Sequence, residues 1–235
     1  MKGDDLVGVG LAAFFVLVPA LFLAGFIALV IFLLKRAAEL ERQRTLVMQQ
    51  YATRRGWAFT PGATTLGAEV SRFKLFSRGS SQRLTNAMRG EVDGQQVALV
   101  DFRYTTGSGK SRTTHQQTVC AVRVVGANFP HVYVRRQLPF FDALGRMLGG
   151  QDFDFPDDEA FSRAFVVQTS GAEAALRSLL KPQVRAHLHG LLPPLHELEA
   201  QGEYVLLHFG QFFDGPQLDT LVANTLGVAR VLSAS

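Results

Sequence analysis

From Leu6 to Leu34 the chain runs for 29 residues without a charged side chain, built mostly from Leu, Val, Phe, Ala and Ile. An α-helix rises about 1.5 Å per residue, so this run reaches roughly 43 Å against a hydrocarbon core of about 30 Å. The pattern predicts one membrane-spanning helix with length to spare for tilt. Pro19 lies inside it, where neighbouring groups in a membrane can take up a kink. A cleaved signal peptide fits poorly, since its apolar core covers about 7–15 residues after a basic start. Here Lys2 faces Asp4 and Asp5, and Lys35-Arg36 follows the apolar run directly.

After the span the pattern turns polar. Leu40, Val47 and Tyr51 fall at helical spacing among Glu41, Arg42 and Arg44, predicting a stalk helix that continues from the span. The period then drops to two. Trp57 to Thr60 reads as a short strand stopped by Pro61-Gly62, and Pro61 to Ser81 as a polar stretch broken by Phe73-Lys74-Leu75-Phe76. Leu84 to Val92 leads into Asp93-Gly94, a strong hairpin signal. Gln95 to Thr105 places Ala98, Val100, Phe102 and Tyr104 on one face, with Asp101 and Arg103 on the other. Thr114 to Val125 returns with Cys120, Val122 and Val124 inward, and His131 to Arg135 adds a further strand.

The remainder mixes types. Asp152 to Phe155 reads as a short strand, Ala160 to Arg163 as a helix opened by Asp157-Asp158-Glu159, and Ala164 to Thr169 as a strand. Helices follow over Ala172 to Leu180 and over Pro182 to His189, where Pro182 suits a first helical position. Leu195 to Glu199 and Tyr204 to Phe209 form a hairpin across Ala200-Gln201-Gly202. A last helix spans Pro216 to Leu232, with Leu218, Leu221, Val222, Leu226 and Val228 or Ala229 inward. Strands and helices without regular alternation predict an α+β fold on a mostly antiparallel sheet. The expected organisation is a tail over 1–5, a transmembrane helix over 6–34, a basic juxtamembrane stalk over 35–55 and a soluble domain over 56–235.

Charge orients this arrangement. Lys35, Arg36, Arg42, Arg44, Arg54 and Arg55 follow the span and only Lys2 precedes it. The Lys/Arg excess marks the cytoplasmic side, so the N-terminus is expected outside and the domain in the cytoplasm, with an extracytoplasmic domain as the alternative. A single cysteine, Cys120, allows no internal disulfide and agrees with that side. Lys35, Arg36, Arg42 and Arg44 are candidates to contact anionic headgroups. Residues 56–150 hold 12 Lys/Arg and 5 Asp/Glu, residues 151–235 hold 5 and 11. With no one-sided basic excess in the domain, no nucleic-acid partner is expected; the two halves are expected to attract each other or to present a dipolar surface.

The motifs that suggest chemistry fail on spacing. Gly107-Ser108-Gly109-Lys110-Ser111 lacks the earlier glycine of a phosphate-binding loop, where Tyr104 stands, and a strand rather than a helix follows. Asp152, Asp154, Asp157 and Asp158 lack the ligand spacing of a calcium loop. His115 and Cys120 lie five apart on one strand and point to opposite faces. His187 and His189 sit about 200° apart on a helix, and His131, His196 and His208 are dispersed. No cofactor, no metal and no paired carboxylates are expected. Within the span, Ala20, Ala24 and Ala28 share a four-residue ladder that would let two copies of the helix approach.

Arg55-Gly56-Trp57, the run Asn86 to Gly94, Tyr104-Thr-Thr-Gly-Ser-Gly109 followed by Thr114-His115, and Glu159-Ala-Phe-Ser-Arg-Ala-Phe165 resemble a group of short bacterial membrane proteins. That group is frequent in actinobacterial genomes. The resemblance implies one N-terminal span with an α+β domain behind it, and it implies no activity or catalytic residue. The expected function is a membrane-anchored non-enzymatic module that binds a protein partner or itself. Its surface would centre on Tyr104, Lys110, Arg112 and His115. The alternative is a membrane-proximal enzyme using His115 or Cys120.

Overall fold

Apolar continuity produces the first element: a helix, α1, over Asp4–Arg55 that passes Pro19 without interruption. The computed structural model describes residues 4–65, 67–137 and 152–235, so Met1 to Gly3 of the expected tail lie outside the described residues. Two compact units divide between Leu46 and Val47. In the first, the described stretch of α1 is long and apolar enough to cross a membrane, and it exposes Leu21, Phe22, Phe26, Phe32 and Leu34.

The second unit is built on an eight-stranded sheet in which every pairing is antiparallel, giving the expected α+β class. Its strands are β1 Ala58–Ala63, β2 Ser80–Val92, β3 Gln95–Thr106, β4 Thr113–Arg123, β5 Phe129–Arg136, β6 Phe165–Thr169, β7 Glu197–Gly202 and β8 Tyr204–His208. Their order across the sheet is β1-β2-β3-β4-β8-β7-β5-β6. Asp93 and Gly94 both take positive φ (52° and 76°), which closes β2 onto β3 with a twist that suits flanking strands. The helices are α2 Ala68–Ser71, α3 Glu159–Ala164, α4 Glu173–Leu179, α5 Pro182–His189 and α6 Pro216–Ser233. Asp158 caps α3 by accepting from the Phe161 amide at 3.0 Å.

Both faces of the sheet are covered. On one, Val97, Leu99, Cys120, Val122, Val134, Leu198 and Leu207 pack with α3–α6 and with Met48, Tyr51 and Ala52 from the end of α1. On the other, Val70, Phe73, Leu75 and Phe76 lie over Ala87, Val100, Phe102, Tyr104, Val119 and Leu206. The expectation of one polar face on β3 is therefore corrected: Asp101 is 1 % exposed and Val97 and Leu99 are core. The stretch Gly67–Gly79, expected as a polar excursion, is a strap that closes the second face. Four buried apolar side chains at about 1.5–3 kcal/mol each hold it, so it is a fixed layer and not a lid.

Smaller expectations also shift. β1 continues past Pro61-Gly62 through a register change between Thr60 and Ala63. Asp152–Phe155 is not a strand; the Phe153 amide donates to Val167 at 2.9 Å, and the chain then turns to bury Phe155. β7 runs on to Gly202, whose φ of 59° lets Glu203 alone separate it from β8.

Candidate functional site

β7 reads Glu197-Leu198-Glu199-Ala200, and strand alternation sends the two carboxylates to the strap side while Leu198 and Ala200 enter the helix-side core. Both glutamates are at most 1 % exposed. Buried carboxylates require partners, and the strap supplies them. Arg78 donates to Glu197 Oε2 at 2.6 Å and also to Tyr133 Oη, while Tyr133 donates to the same oxygen at 3.1 Å. Glu199 Oε1 accepts the Lys74 amide at 2.8 Å and His131 Nε2–H at 2.9 Å; its Oε2 takes the Leu75 amide at 3.4 Å. Glu199 thus receives the first amides of the short 3₁₀ turn Lys74–Ser77. The two carboxylates meet donors on a strap some 120 residues away in sequence, a meeting that strand alternation alone does not reveal.

Two histidines join this cluster. His208 lies across the ladder from Glu197 and its Nδ1 accepts the Gly210 amide at 3.1 Å, which puts the ring proton on Nε2, 3.7 Å from Glu197 Oε2. His196 and His208 have ring centroids 5.2 Å apart, so these histidines are not dispersed in space. Burial pushes the Glu197 carboxyl up, but Arg78 and then His208 outweigh it and hold it at about 2. Burial and the neighbouring His208 hold His196 down at about 4. Burial raises the Tyr133 hydroxyl, with Glu197 adding to it. Arg78 and the Lys74 and Leu75 amides bind the two carboxylates and so clamp the strap to the sheet, while among the described residues His208 Nε2 and Glu197 Oε1 make no hydrogen bond.

The residues expected at an interaction surface divide. Tyr104 is buried; its ring stacks on Phe102 at 5.3 Å and on His115 at 4.7 Å. His115 is half-buried, its Nε2 lies 2.8 Å from Thr106 Oγ1, and burial lowers its pKa, with Arg78 adding to the effect. Lys110 and Arg112 stand exposed in the β3–β4 turn above this stack. Cys120 lies on the opposite face of β4, wholly buried, and burial pushes its thiol up to about 12, so it presents no thiolate. His115 and Cys120 therefore do not form one site. Lys35, Arg36 and Arg42 are exposed on α1, as are Ala20, Ala24 and Ala28, while Arg44 is half-buried. Among the described residues, no three His, Cys, Asp or Glu side chains converge as metal ligands.

A second polar joint ties the end of α1 to α6. Tyr51 donates to Asp219 at 2.6 Å, Arg55 pairs with the same carboxylate, and the guanidinium rests 5.3 Å from the Tyr51 ring and 5.6 Å from that of Trp57. An open depression lined by Tyr51, Arg54, Arg55, Pro216 and Asp219 lies beside it.

The arrangement defines a chain with one exposed apolar helix and an α+β domain whose described polar interior is largely paired. No protein-family model matches it, and no curated protein does. Among solved structures it is similar in fold to the crystal structure of the mycobacterial trehalose monomycolate transport factor A, TtfA. The TM-score is 0.56 at 12 % identity, covering 80 % of this chain and 93 % of that one.

Proposed function

We propose that this chain is a membrane-anchored, non-enzymatic module. In this reading α1 crosses a bacterial cytoplasmic membrane once with the N-terminus outside, and the α+β domain works at the inner surface by binding a protein partner or a second copy. The observation that carries the proposal is the exposure of Leu21, Phe22, Phe26 and Phe32 on a helix long enough to span a bilayer. Lys35, Arg36 and Arg42 beside that run suit anionic headgroups. The fold shared with a protein named as a transport factor supports an accessory role, and the buried state of Cys120 speaks against the thiol-based alternative.

Carbonate extraction tests the anchor. The full chain is expected in the membrane pellet and a variant lacking residues 1–34 in the supernatant; release of the full chain refutes it. C-terminal fusions to reporters active on only one side of the membrane test orientation, and activity of the export-dependent reporter overturns it. Cross-linking in intact membranes tests association: adducts of the full chain are expected, and a chain that stays unlinked counts against a binding module.

A further inference from the structure

Val70 to Gly90 and Phe102 to Gln137 each lack any Asp or Glu. The sheet brings them together at one end of the β2–β3–β4 meander, where Ser80 faces Thr105 and Thr105 faces Thr114, with Arg83 opposite Arg103 and Arg103 opposite Gln116. Arg83, Lys110 and Arg112 are exposed there, alongside the exposed hydroxyl residues Ser108, Ser111, Thr113 and Thr114. The nearest acidic side chain on these strands, Asp101, is buried and receives Asn86 and Thr118 at 3.0 Å each. The turn is also preformed. Ser111 N–H donates to Ser108 O at 3.1 Å, its Oγ donates to the same oxygen at 2.8 Å, and the Tyr104–His115 stack lies beneath.

From these placements we propose that this basic hairpin end docks an acidic protein segment, with Lys110 and Arg112 as the central contacts, Arg83 adding charge, and Tyr104 and His115 as positioning residues. The proposal rests on the reading of the domain as a binding module and names its partner's chemistry. An acidic protein segment suits the site better than a lipid surface or a nucleic acid. In residues 47–235, the large apolar side chains exposed among the described residues are Val125 and Leu192, neither on this turn, so no side chain is set to enter a bilayer. The buried Tyr104 ring leaves the turn without an aromatic platform for bases. The turn lies at the opposite end of the meander from Asp93-Gly94.

The test uses the full chain in detergent micelles and a fluorescent peptide of about twelve residues alternating Glu and Ser, read by anisotropy. Surface charge attraction is screened by salt. Binding of the Glu peptide is expected to weaken at least tenfold in the Lys110→Glu/Arg112→Glu variant, at least tenfold when Gln replaces Glu in the peptide, and on raising salt from about 50 to about 300 mM. His115→Ala is expected to weaken it severalfold without a change of charge. The Gln peptide on the unaltered chain keeps the test independent of how the variant folds. Undiminished binding by the double variant overturns the proposal. So does tighter, Lys110/Arg112-dependent binding of phosphatidylglycerol vesicles or of single-stranded DNA. A module that binds elsewhere would leave the peptide unbound while membrane cross-links persist, so the two readings fail separately.

Discussion

Replacing Glu197 by Gln keeps the shape of the side chain and removes the charge that holds Arg78. Breaking a buried ion pair by deleting one charge costs about 3–5 kcal/mol when the other is left in a dry interior. The Arg78 side chain is 25 % exposed and retains Tyr133, so part of its charge is solvated and the cost falls to or just below the low end of that range, about 2–3 kcal/mol. Proton linkage gives a second route to the magnitude. Lowering the carboxyl from its ordinary 4.5 to about 2 corresponds to roughly 3 kcal/mol at neutral pH. Because the folded pKa is depressed, that stabilisation is present above pH 4.5 and is lost as pH falls toward 2. Urea unfolding of the full chain in micelles, followed by the emission of Trp57, the only tryptophan, measures both. Glu197→Gln should lower stability by about 2–3 kcal/mol at pH 7 and flatten the acid limb between pH 4.5 and 2. A loss below about 1 kcal/mol, or an unchanged acid limb, refutes the clamp.

His196 acts at milder acidity: a histidine held at about 4 favours protonation in the unfolded chain, so stability should fall from about pH 6.5 to 4, and His196→Gln should remove that slope in the same titration. Gly90→Ala would place a Cβ 2.1 Å from the Trp57 ring; a loss of about 1–3 kcal/mol with a shifted Trp57 emission maximum is expected, measured by urea unfolding and fluorescence. Asp158→Ala removes both the cap of α3 and one partner of Arg185, whose side chain is 5 % exposed, and should lower the unfolding midpoint by the equivalent of about 2 kcal/mol.

Much of the fold was legible because it is local. The β2–β3 turn is written in Asp93-Gly94, which take the two positive φ values a tight turn needs. α5 begins at Pro182 and α6 at Pro216, as a proline at the first helical position allows. The inward positions of α6, Leu218, Leu221, Val222, Leu226 and Val228, follow from helical period alone. For Tyr104 the alternation with Phe102 was visible, but the strap that buries it was not. The polar run between β1 and β2 has no period, and its four apolar side chains gain meaning only from the face they cover.

The long apolar helix, most secondary elements and the α+β class are therefore legible from the sequence alone, each set by neighbours within a few residues. What the tertiary structure decided is which strands meet. Placing β8 beside β4 and β7 beside β5 puts Glu197, His208 and Tyr133 on one face, where Arg78 reaches them from across the sheet. It also carries Lys110 and Arg112 to an end of the meander with no exposed carboxylate on these strands beside them. Charges separated by more than a hundred residues interact only after the backbone has been ordered. That ordering is driven by burial of apolar surface, which is non-directional and does not name its partners in the sequence.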